Sequence, residues 1–286
     1  MNEILKNFLQ RFKIATKLTK KMFITGILLL FIIIIFNIYQ SFFGYSPIKA
    51  TGDIFESPNS EHIMGTDQLG RDVFSRVSCG VRSSLMIAFL SVIIASTSGT
   101  TIGVLSGYFA GKIDRIFSII FDALFAFPGL ILAIIISTMV GPGIIPTSIA
   151  ISIGYIPQYF RVVRGLTLSL KERPFIEALR ALGARPINLI QHILIYTTPS
   201  IITLIMLNVA SSLLAVSGLG FLGLGIIPPT PELGIDLGRG RAFITMGVWW
   251  TSFFPGLMIV ISVAAFTLFG EGLNEILKTT MTGKTM

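Results

Sequence analysis

The sequence predicts an all-α polytopic membrane protein with six transmembrane helices. Of its 286 residues, 52% are hydrophobic and only 13% are charged, whereas soluble domains carry roughly 25% charged residues. A chain with so few charges cannot cover a water-facing surface. Five tracts free of charged residues are long enough to cross a bilayer, which takes about 20 helical residues. They are too long for barrel strands, so helices must satisfy their backbone hydrogen bonds in lipid.

The charge-free tracts place the six predicted spans along the chain. The tract 123–160 is too long for one span and contains the turn signal Gly141-Pro142-Gly143, so it predicts two helices joined by a tight hairpin. Each of the other four tracts holds one span. The spans are expected near 22–40, 84–106, 117–140, 144–163, 197–216 and 247–270.

The N-terminal segment 1–21 is basic, and its apolar residues recur near helical spacing. This pattern predicts an amphipathic helix lying on the inner leaflet; the alternative is a basic tail that only enforces topology. The apolar run that follows is longer than the ~7–15 residue core of a signal peptide, so residues 22–40 are interpreted as a retained span. The apolar residues of the amphipathic pattern are Ile4, Phe8, Phe12 and Leu18.

The positions of lysine and arginine predict the orientation. With the N-terminus inside, 16 of the 22 basic residues lie in inner segments and 6 in outer segments, among them 41–82. Basic residues are enriched on the cytoplasmic side, so both termini, including a tail at 273–286, are expected in the cytoplasm and the protein in the cell (inner) membrane. The net charge of +8 is interpreted as this orientation signal. The expected partner is the lipid bilayer, and no nucleic acid is expected.

The second predicted span carries a glycine at every fourth position. A four-residue spacing places small residues on one helix face, where another helix can approach closely. We interpret this face as a packing seam. Its glycines are Gly99, Gly103, Gly107 and Gly111.

Sites of covalent chemistry and metal binding are not evident. The nearest match to a GxxxxGK[ST] phosphate loop, Gly107–Ile113, is one residue short, lacks the final hydroxyl and follows a membrane helix. The single Cys79 excludes a CxxC site. His62 and His192 lie in segments predicted on opposite sides of the membrane. The chain is therefore expected not to be an enzyme, and no metal or cofactor of its own is expected.

The inner segment 166–192 is polar and long for a connection between two spans. Pro174 suits the first turn of a short helix, Gly183 its end, and Pro186 follows. A short helix at the membrane surface, carrying small residues and the carboxylate of Glu177, can dock into a groove of a partner protein. The alternative is a solvated connector.

Three stretches carry a family resemblance. Glu177-Ala178 followed by Gly183 resembles the EAA loop of importer-type ABC transporter permeases. The stretch 62–85 is similar to the signature that follows the first span in dipeptide, oligopeptide and nickel permeases, and 221–232 resembles the outer loop before their last span. The resemblance covers residues 20–280 and is closer to the second of the two paired permeases, the C-type subunit. The signature residues are Gly65, Thr66, Asp67, Gly70, Arg71, Asp72, Ser75 and Arg76.

The resemblance implies a fold and partners. The first span would be peripheral, and residues 83–272 would form the five-helix type-I ABC permease core. A homologous second permease subunit would complete the substrate pathway. Two cytoplasmic ABC ATPase subunits would bind ATP-Mg, and an extracytoplasmic solute-binding protein would deliver substrate to outer segments 40–82 and 217–245. The ATPase-coupling residues would be Glu177, Ala178, Arg180 and Gly183, with Arg180 at a variable position of the motif.

The sequence also departs from the family pattern. Leu179 stands where alanine is usual, and Ile195 replaces a proline that usually closes the loop, with Pro199 four residues later. These changes bear on how the loop enters the fifth span.

The resemblance implies di- and oligopeptides as the leading substrates, with nickel or a metal–metallophore complex as the alternative. An ATP-independent channel or secondary carrier is a distant alternative, since it would need charges or an ion path within the spans.

Overall fold

The computed structural model describes residues 10–278, and this part of the chain is built from helices, as predicted. Of the predicted N-terminal amphipathic helix, residues 1–9 lie outside the described residues, while 10–14 are helical. The long helices and their connectors follow in chain order. They are α1 (Lys17–Phe43), α2 (Val73–Phe109), α3 (Gly111–Phe125), α4 (Gly129–Val140), α5 (Ile144–Leu170), α6 (Pro174–Ala181), α7 (Pro186–Phe221), α8 (Leu233–Arg241), a 3-10 turn at Ile244–Met246 and α9 (Trp250–Lys278).

Four of the described helices, α1, α2, α7 and α9, are long and apolar enough to cross a membrane. The pair α3 and α4 qualifies as a fifth span only if it is counted as one element bent by 95°. Six spans were predicted, and four or five of the described helices or helix pairs qualify as spans. The remaining predicted span is α5, which has 27 residues but is less apolar. Its polar residues, such as Ser148 and Ser152, are buried within the protein.

The prediction of one continuous helix over 117–140 is wrong. The chain bends between α3 and α4, where Phe127 precedes Pro128. A proline disfavours the helical conformation of the residue before it, so the helix ends there and restarts in a new direction. The predicted hairpin is present: Gly141 and Gly143 adopt positive φ angles of 90° and 145° between α4 and α5.

Glycines of α2 bring its backbone against α5. A Cβ added at Gly99 would lie 2.6 Å from the Cβ of Tyr159, and one added at Gly103 would lie 2.9 Å from the carbonyl oxygen of Phe160. At Gly107 the added Cβ would lie 2.8 Å from the Cβ of Thr167. Larger side chains would push these two helices apart.

The assignment of Gly111 to this seam is wrong. Helix α2 ends at Phe109, and Gly111 begins α3 after a turn at Ala110. Gly111 has a φ of +71°, and nothing lies within 4 Å of a Cβ added there. A glycine is needed at position 111 for the backbone turn and not for helix packing.

The first and last spans pack against each other. Gly26 of α1 lies against the backbone of Phe269 in α9, where an added Cβ would be 2.5 Å from the amide nitrogen. The rings of Phe23 and Phe269 stack with centroids 5.2 Å apart. Helix α1 is otherwise mostly exposed in the described chain. Helix α9 continues to Lys278, so residues 273–278 of the predicted tail 273–286 are part of this helix. Residues 279–286 lie outside the described residues.

Helix α7 corrects the predicted inner segment. It runs from Pro186 to Phe221 over 36 residues and contains Pro199, so it begins well before the expected start at 197. Ile195 lies within this helix, and the chain enters it without a break there. Because α5 extends to Leu170, the predicted segment 166–192 shortens to 171–185, which contains α6.

Candidate functional site

Helix α6 is the predicted coupling helix, and the sequence determines both of its ends. Pro174 occupies the first position, and Glu177 lies in the first turn, where the helix dipole favours a carboxylate. At the other end the Gly183 N–H donates to the carbonyl of Arg180, and the Ala184 N–H to that of Leu179, each at 3.0 Å. With the φ of +81° at Gly183, these bonds form a Schellman motif.

A buried side chain fastens α6 to the membrane core. Ile176 is fully buried in a cluster with Val104 of α2, Val163 of α5 and Leu189 of α7. The Phe175 ring lies 4.9 Å from that of Tyr196, also on α7. The inner face of α6 thus belongs to one hydrophobic cluster with residues of α2, α5 and α7.

The opposite face of α6 is open to solvent in this chain. All four predicted coupling residues, Glu177, Ala178, Arg180 and Gly183, are exposed. The structure adds Leu182, whose exposed fraction is 84%. Sequence reasoning missed Leu182, although an apolar side chain beside a helix-ending glycine was a usable signal. This surface presents the carboxylate of Glu177, the guanidinium of Arg180 and the apolar side chain of Leu182 to a partner.

The predicted signature residues lie in a folded segment at the N-terminal end of α2. We call residues 44–72 together with α8 the outer cap. Asp67 accepts hydrogen bonds from the backbone of Leu69 and Arg71 and forms an ion pair with the Arg71 guanidinium at 2.6 Å. Gly70 has a φ of +68°, and a Cβ there would lie 2.4 Å from the carbonyl oxygen of Gly52. The turn therefore requires glycine.

Other signature residues connect the outer cap to the spans. Asp72 caps the N-terminus of α2 by accepting a hydrogen bond from the Ser75 N–H at 2.7 Å, and it lies 2.9 Å from Nδ1 of His62. The indole N–H of Trp250 in α9 donates to the Thr66 carbonyl at 3.0 Å. Gly65, next to Thr66, has a φ of +71°. Most of these side chains are buried, so their role in this chain is to hold the cap in place.

Arg76 joins two distant parts of the chain. Its guanidinium donates to the carbonyl of Pro47 at 2.9 Å and to Asp236 of α8 at 2.6 Å. Burial raises the pKa of Asp236, while the positive charge of Arg76 acts in the opposite direction. The ion pair is buried, and loss of either partner would leave an uncompensated charge.

Glu232 is a second buried carboxyl group in the outer cap. It caps α8, accepting hydrogen bonds from the N–H groups of Gly234 and Ile235, each at 2.9 Å, and from the Ser84 hydroxyl at 2.8 Å. Burial raises the pKa of Glu232 to about 7. Glu232 belongs to the stretch 221–232 that carries the outer-loop resemblance. Its hydrogen-bond partner Ser84, on α2, lies 148 positions away in the sequence.

A cavity lies beside the bend between α3 and α4. Its volume is about 250 Å³, and it is lined by Leu130 of α4, Gly154 and Tyr155 of α5 and Ser211 of α7. The walls are mostly apolar. Of the described residues, none form a cluster of three or more His, Cys, Asp or Glu side chains able to hold a metal ion.

Asp122 lies near this bend, in the last turn of α3, which ends at Phe125. Its carboxylate pairs with Arg161 of α5 at 2.8 Å.

Residues 99–283 match the family described as binding-protein-dependent transport system inner membrane component. This match covers more than half of the chain. The chain belongs to this family.

The permease is also similar to named transport proteins. It is 39% identical over 239 residues to the glutathione transport system permease protein GsiD of Pectobacterium atrosepticum, with 83% of this chain and 77% of that protein covered. The same figures hold for the proteins of that name from Escherichia coli O6:K15:H31 and Shigella boydii serotype 4.

These matches confirm the resemblance to importer-type ABC permeases. The permease is a multi-pass inner membrane component, and the family and its relatives are transport proteins and not enzymes.

Proposed function

We propose that this permease is one of two transmembrane subunits of an ATP-driven importer that carries di- and oligopeptides into the cytoplasm. Its partners would be a homologous permease, two cytoplasmic ABC ATPases and an extracytoplasmic solute-binding protein. The family description includes a binding protein, and the similar permeases are named for glutathione, which is a tripeptide. The observation that carries the proposal is α6, a short helix fastened to the core with an exposed face.

The position of α6 supports a coupling role. Its buried residue Ile176 lies in the same hydrophobic cluster as Val104, which is about 45 Å along α2 from Val73 at the helix start. This length exceeds the roughly 30 Å hydrocarbon core of a bilayer. The outer cap and α6 would therefore lie on opposite sides of the membrane, with α6 and both termini in the cytoplasm.

The anchoring of α6 suggests how the ATPases would act on the permease. When the two ATPases close, they would displace both coupling helices. Because Ile176 shares one hydrophobic cluster with residues of α2, α5 and α7, its displacement would be passed to these helices. The ATPases can shift the permease between inward- and outward-facing states only if they bind one state more tightly.

The test of the substrate is ATP-dependent uptake by the whole reconstituted complex with its binding protein. The compounds are labelled dipeptides, oligopeptides and glutathione, compared with nickel alone and nickel–chelator complexes. We expect uptake of peptides. Uptake of the metal species alone would replace the substrate with nickel or a metallophore complex.

The test of coupling uses a matched pair of carboxylates. Glu177 is exposed on α6, and Glu172 is exposed in the turn before it. We expect Glu177→Ala to lower uptake and substrate-stimulated ATP hydrolysis, and Glu172→Ala to retain both. Equal behaviour of the two variants would contradict docking through α6.

A further inference from the structure

Arg239 of α8 is a half-buried arginine whose guanidinium has no partner among the described residues. Four arginines between residues 44 and 278 are buried or half-buried. Three of them pair with aspartate carboxylates at 2.5–2.6 Å, whereas Arg239 forms no ion pair or side-chain hydrogen bond within residues 10–278. A charge partly removed from water is costly unless an opposite charge compensates it, so Arg239 is suited to an anionic ligand. The three pairs are Arg71–Asp67, Arg76–Asp236 and Arg164–Asp114.

Arg239 lines a cavity between the end of α7 and α8. The cavity has a volume of about 320 Å³, and its wall also includes residues 220–223, Pro228 and Gly238. This wall is polar and apolar in similar measure, unlike the mostly apolar wall of the cavity at the bend. Leu222 and Pro228 are exposed, so the cavity opens to the surface of this chain. Small-molecule sites start at about 300 Å³, and this volume suits one end of a short peptide.

Glycines hold the two walls of this cavity together. Gly223 follows α7 with a φ of +81°, and its N–H donates to the carbonyl of Gly220 at 2.9 Å. A Cβ added at Gly238 would lie 2.9 Å from the carbonyl oxygen of Phe221, and one added at Gly220 would lie 2.9 Å from the carboxyl carbon of Glu232. Larger residues at these positions would separate α8 from the end of α7, so the close backbone contacts keep Arg239 beside the cavity.

The cavity lies at the end of α7 that is remote from the coupling helix. Helix α7 begins at Pro186, soon after α6 ends, and its 36 residues extend about 50 Å. This length exceeds the roughly 30 Å hydrocarbon core of a bilayer. In the proposed importer, the cavity would therefore lie on the outer side, where the binding protein delivers substrate.

We propose that Arg239 binds the terminal carboxylate of a peptide in this cavity as the peptide leaves the binding protein. The guanidinium is a planar fork of N–H donors that matches the two oxygens of a carboxylate. The rest of the cavity would receive the adjacent residue of the peptide. This inference rests on the proposed peptide function and adds to it a contact that selects substrates with a free carboxyl end.

The experiment compares two forms of one labelled tripeptide with uncharged side chains, one with a free and one with an amidated carboxyl end. ATP-dependent uptake is measured in proteoliposomes that hold the whole complex, with saturating binding protein. The ratio of the two uptake rates is the preference for a free carboxyl end. Because every complex receives the same binding protein, dividing the preference of a variant by that of the wild type removes the selectivity of the binding protein. The variants are Arg239→Gln, Arg239→Lys and Arg241→Gln.

Arg241→Gln is the matched control, because it removes the same charge from the same helix. Arg241 lies two residues after Arg239, which places its side chain on about the opposite side of α8. It is exposed, and its guanidinium lies 5.2 Å from the ring centroid of Phe221. Arg241 thus has a partner within the chain, whereas Arg239 has none among the described residues.

The carboxyl preference is expected to depend on Arg239. In Arg239→Gln it falls about fivefold or more, as expected for loss of a charged hydrogen bond. Arg239→Lys retains part of it, because lysine keeps the charge but not the planar fork. Arg241→Gln keeps the preference of the wild type.

Three results would overturn the proposal. If the wild-type complex takes up peptides and Arg239→Gln changes the uptake of both forms equally, Arg239 acts on the fold or on the binding protein, and the peptide function stands. If Arg241→Gln lowers the preference as much as Arg239→Gln, positive charge on the outer surface attracts carboxylates without a defined site. If the wild-type complex takes up no peptide, the proposed function and this site both fail.

Discussion

Replacement of Gly183 by alanine tests whether the end of α6 must be ordered for coupling. Gly183 has a φ of +81°, and nothing lies within 4 Å of an added Cβ. The cost of Gly183→Ala therefore comes from backbone strain and not from a steric clash. A left-handed conformation costs an ordinary residue about 1–2 kcal/mol, which lowers the population of the ordered end about 5- to 30-fold. Arg180 and Leu182 would lose their fixed positions.

The assay is substrate-stimulated ATP hydrolysis and uptake in proteoliposomes. Gly183→Ala should lower both, and Gly183→Asn should restore much of the loss, because asparagine tolerates the left-handed conformation. Gly165→Ala is the control, since Gly165 lies within α5 and also has nothing within 4 Å of an added Cβ. Full activity of Gly183→Ala, or equal loss in the alanine and asparagine variants, would refute the reasoning.

Three further predictions concern stability, measured as Tm in detergent. Gly103→Ala places a Cβ 2.9 Å from a backbone oxygen of α5 and should cost about 1–3 kcal/mol; an unchanged Tm would contradict the seam. Arg76→Ala leaves the buried carboxylate of Asp236 unpaired and should cost about 3–5 kcal/mol of stability. This cost should be well above that of Arg82→Ala, because Arg82 is exposed. Because the folded pKa of Glu232, about 7, exceeds its unfolded value, the folded protein binds an extra proton between about pH 4.5 and 7, and stability falls as pH rises through this range. The Glu232→Gln variant should lose that pH dependence whatever its absolute Tm. An unchanged slope of Tm against pH in this variant would refute the assignment to Glu232.

Features that depend on local chain chemistry could be predicted from the sequence. The start of α6 at Pro174 and its end at Gly183 match the structure, because proline and glycine act through their own backbone angles. The hairpin at 141–143 matches for the same reason. The packing glycines could be found from spacing alone, but spacing does not show that α2 ends at Phe109, and Gly111 was therefore misassigned.

Features that depend on distant parts of the chain could not be predicted. Arg76 and Asp236 are 160 positions apart, and no local pattern pairs them. The bend at Pro128 was missed because hydropathy averaged along the sequence measures how apolar a segment is and not the direction in which the chain runs. The same limit hid the pairing of Asp122 with Arg161, since it exists only once α3 has turned back towards α5.

Helix α2 has a mechanical consequence for signalling across the membrane. Its N-terminus is capped within the outer cap by Asp72, and Val104 near its other end lies in one hydrophobic cluster with Ile176 of α6. Helices α5, α7 and α9 contain prolines, which favour bending, whereas α2 contains none along its 37 residues. No proline interrupts α2, so we expect its two ends to tilt together when α6 is displaced. In the importer proposed above, the binding protein and the ATPases would therefore act on opposite ends of the same helix.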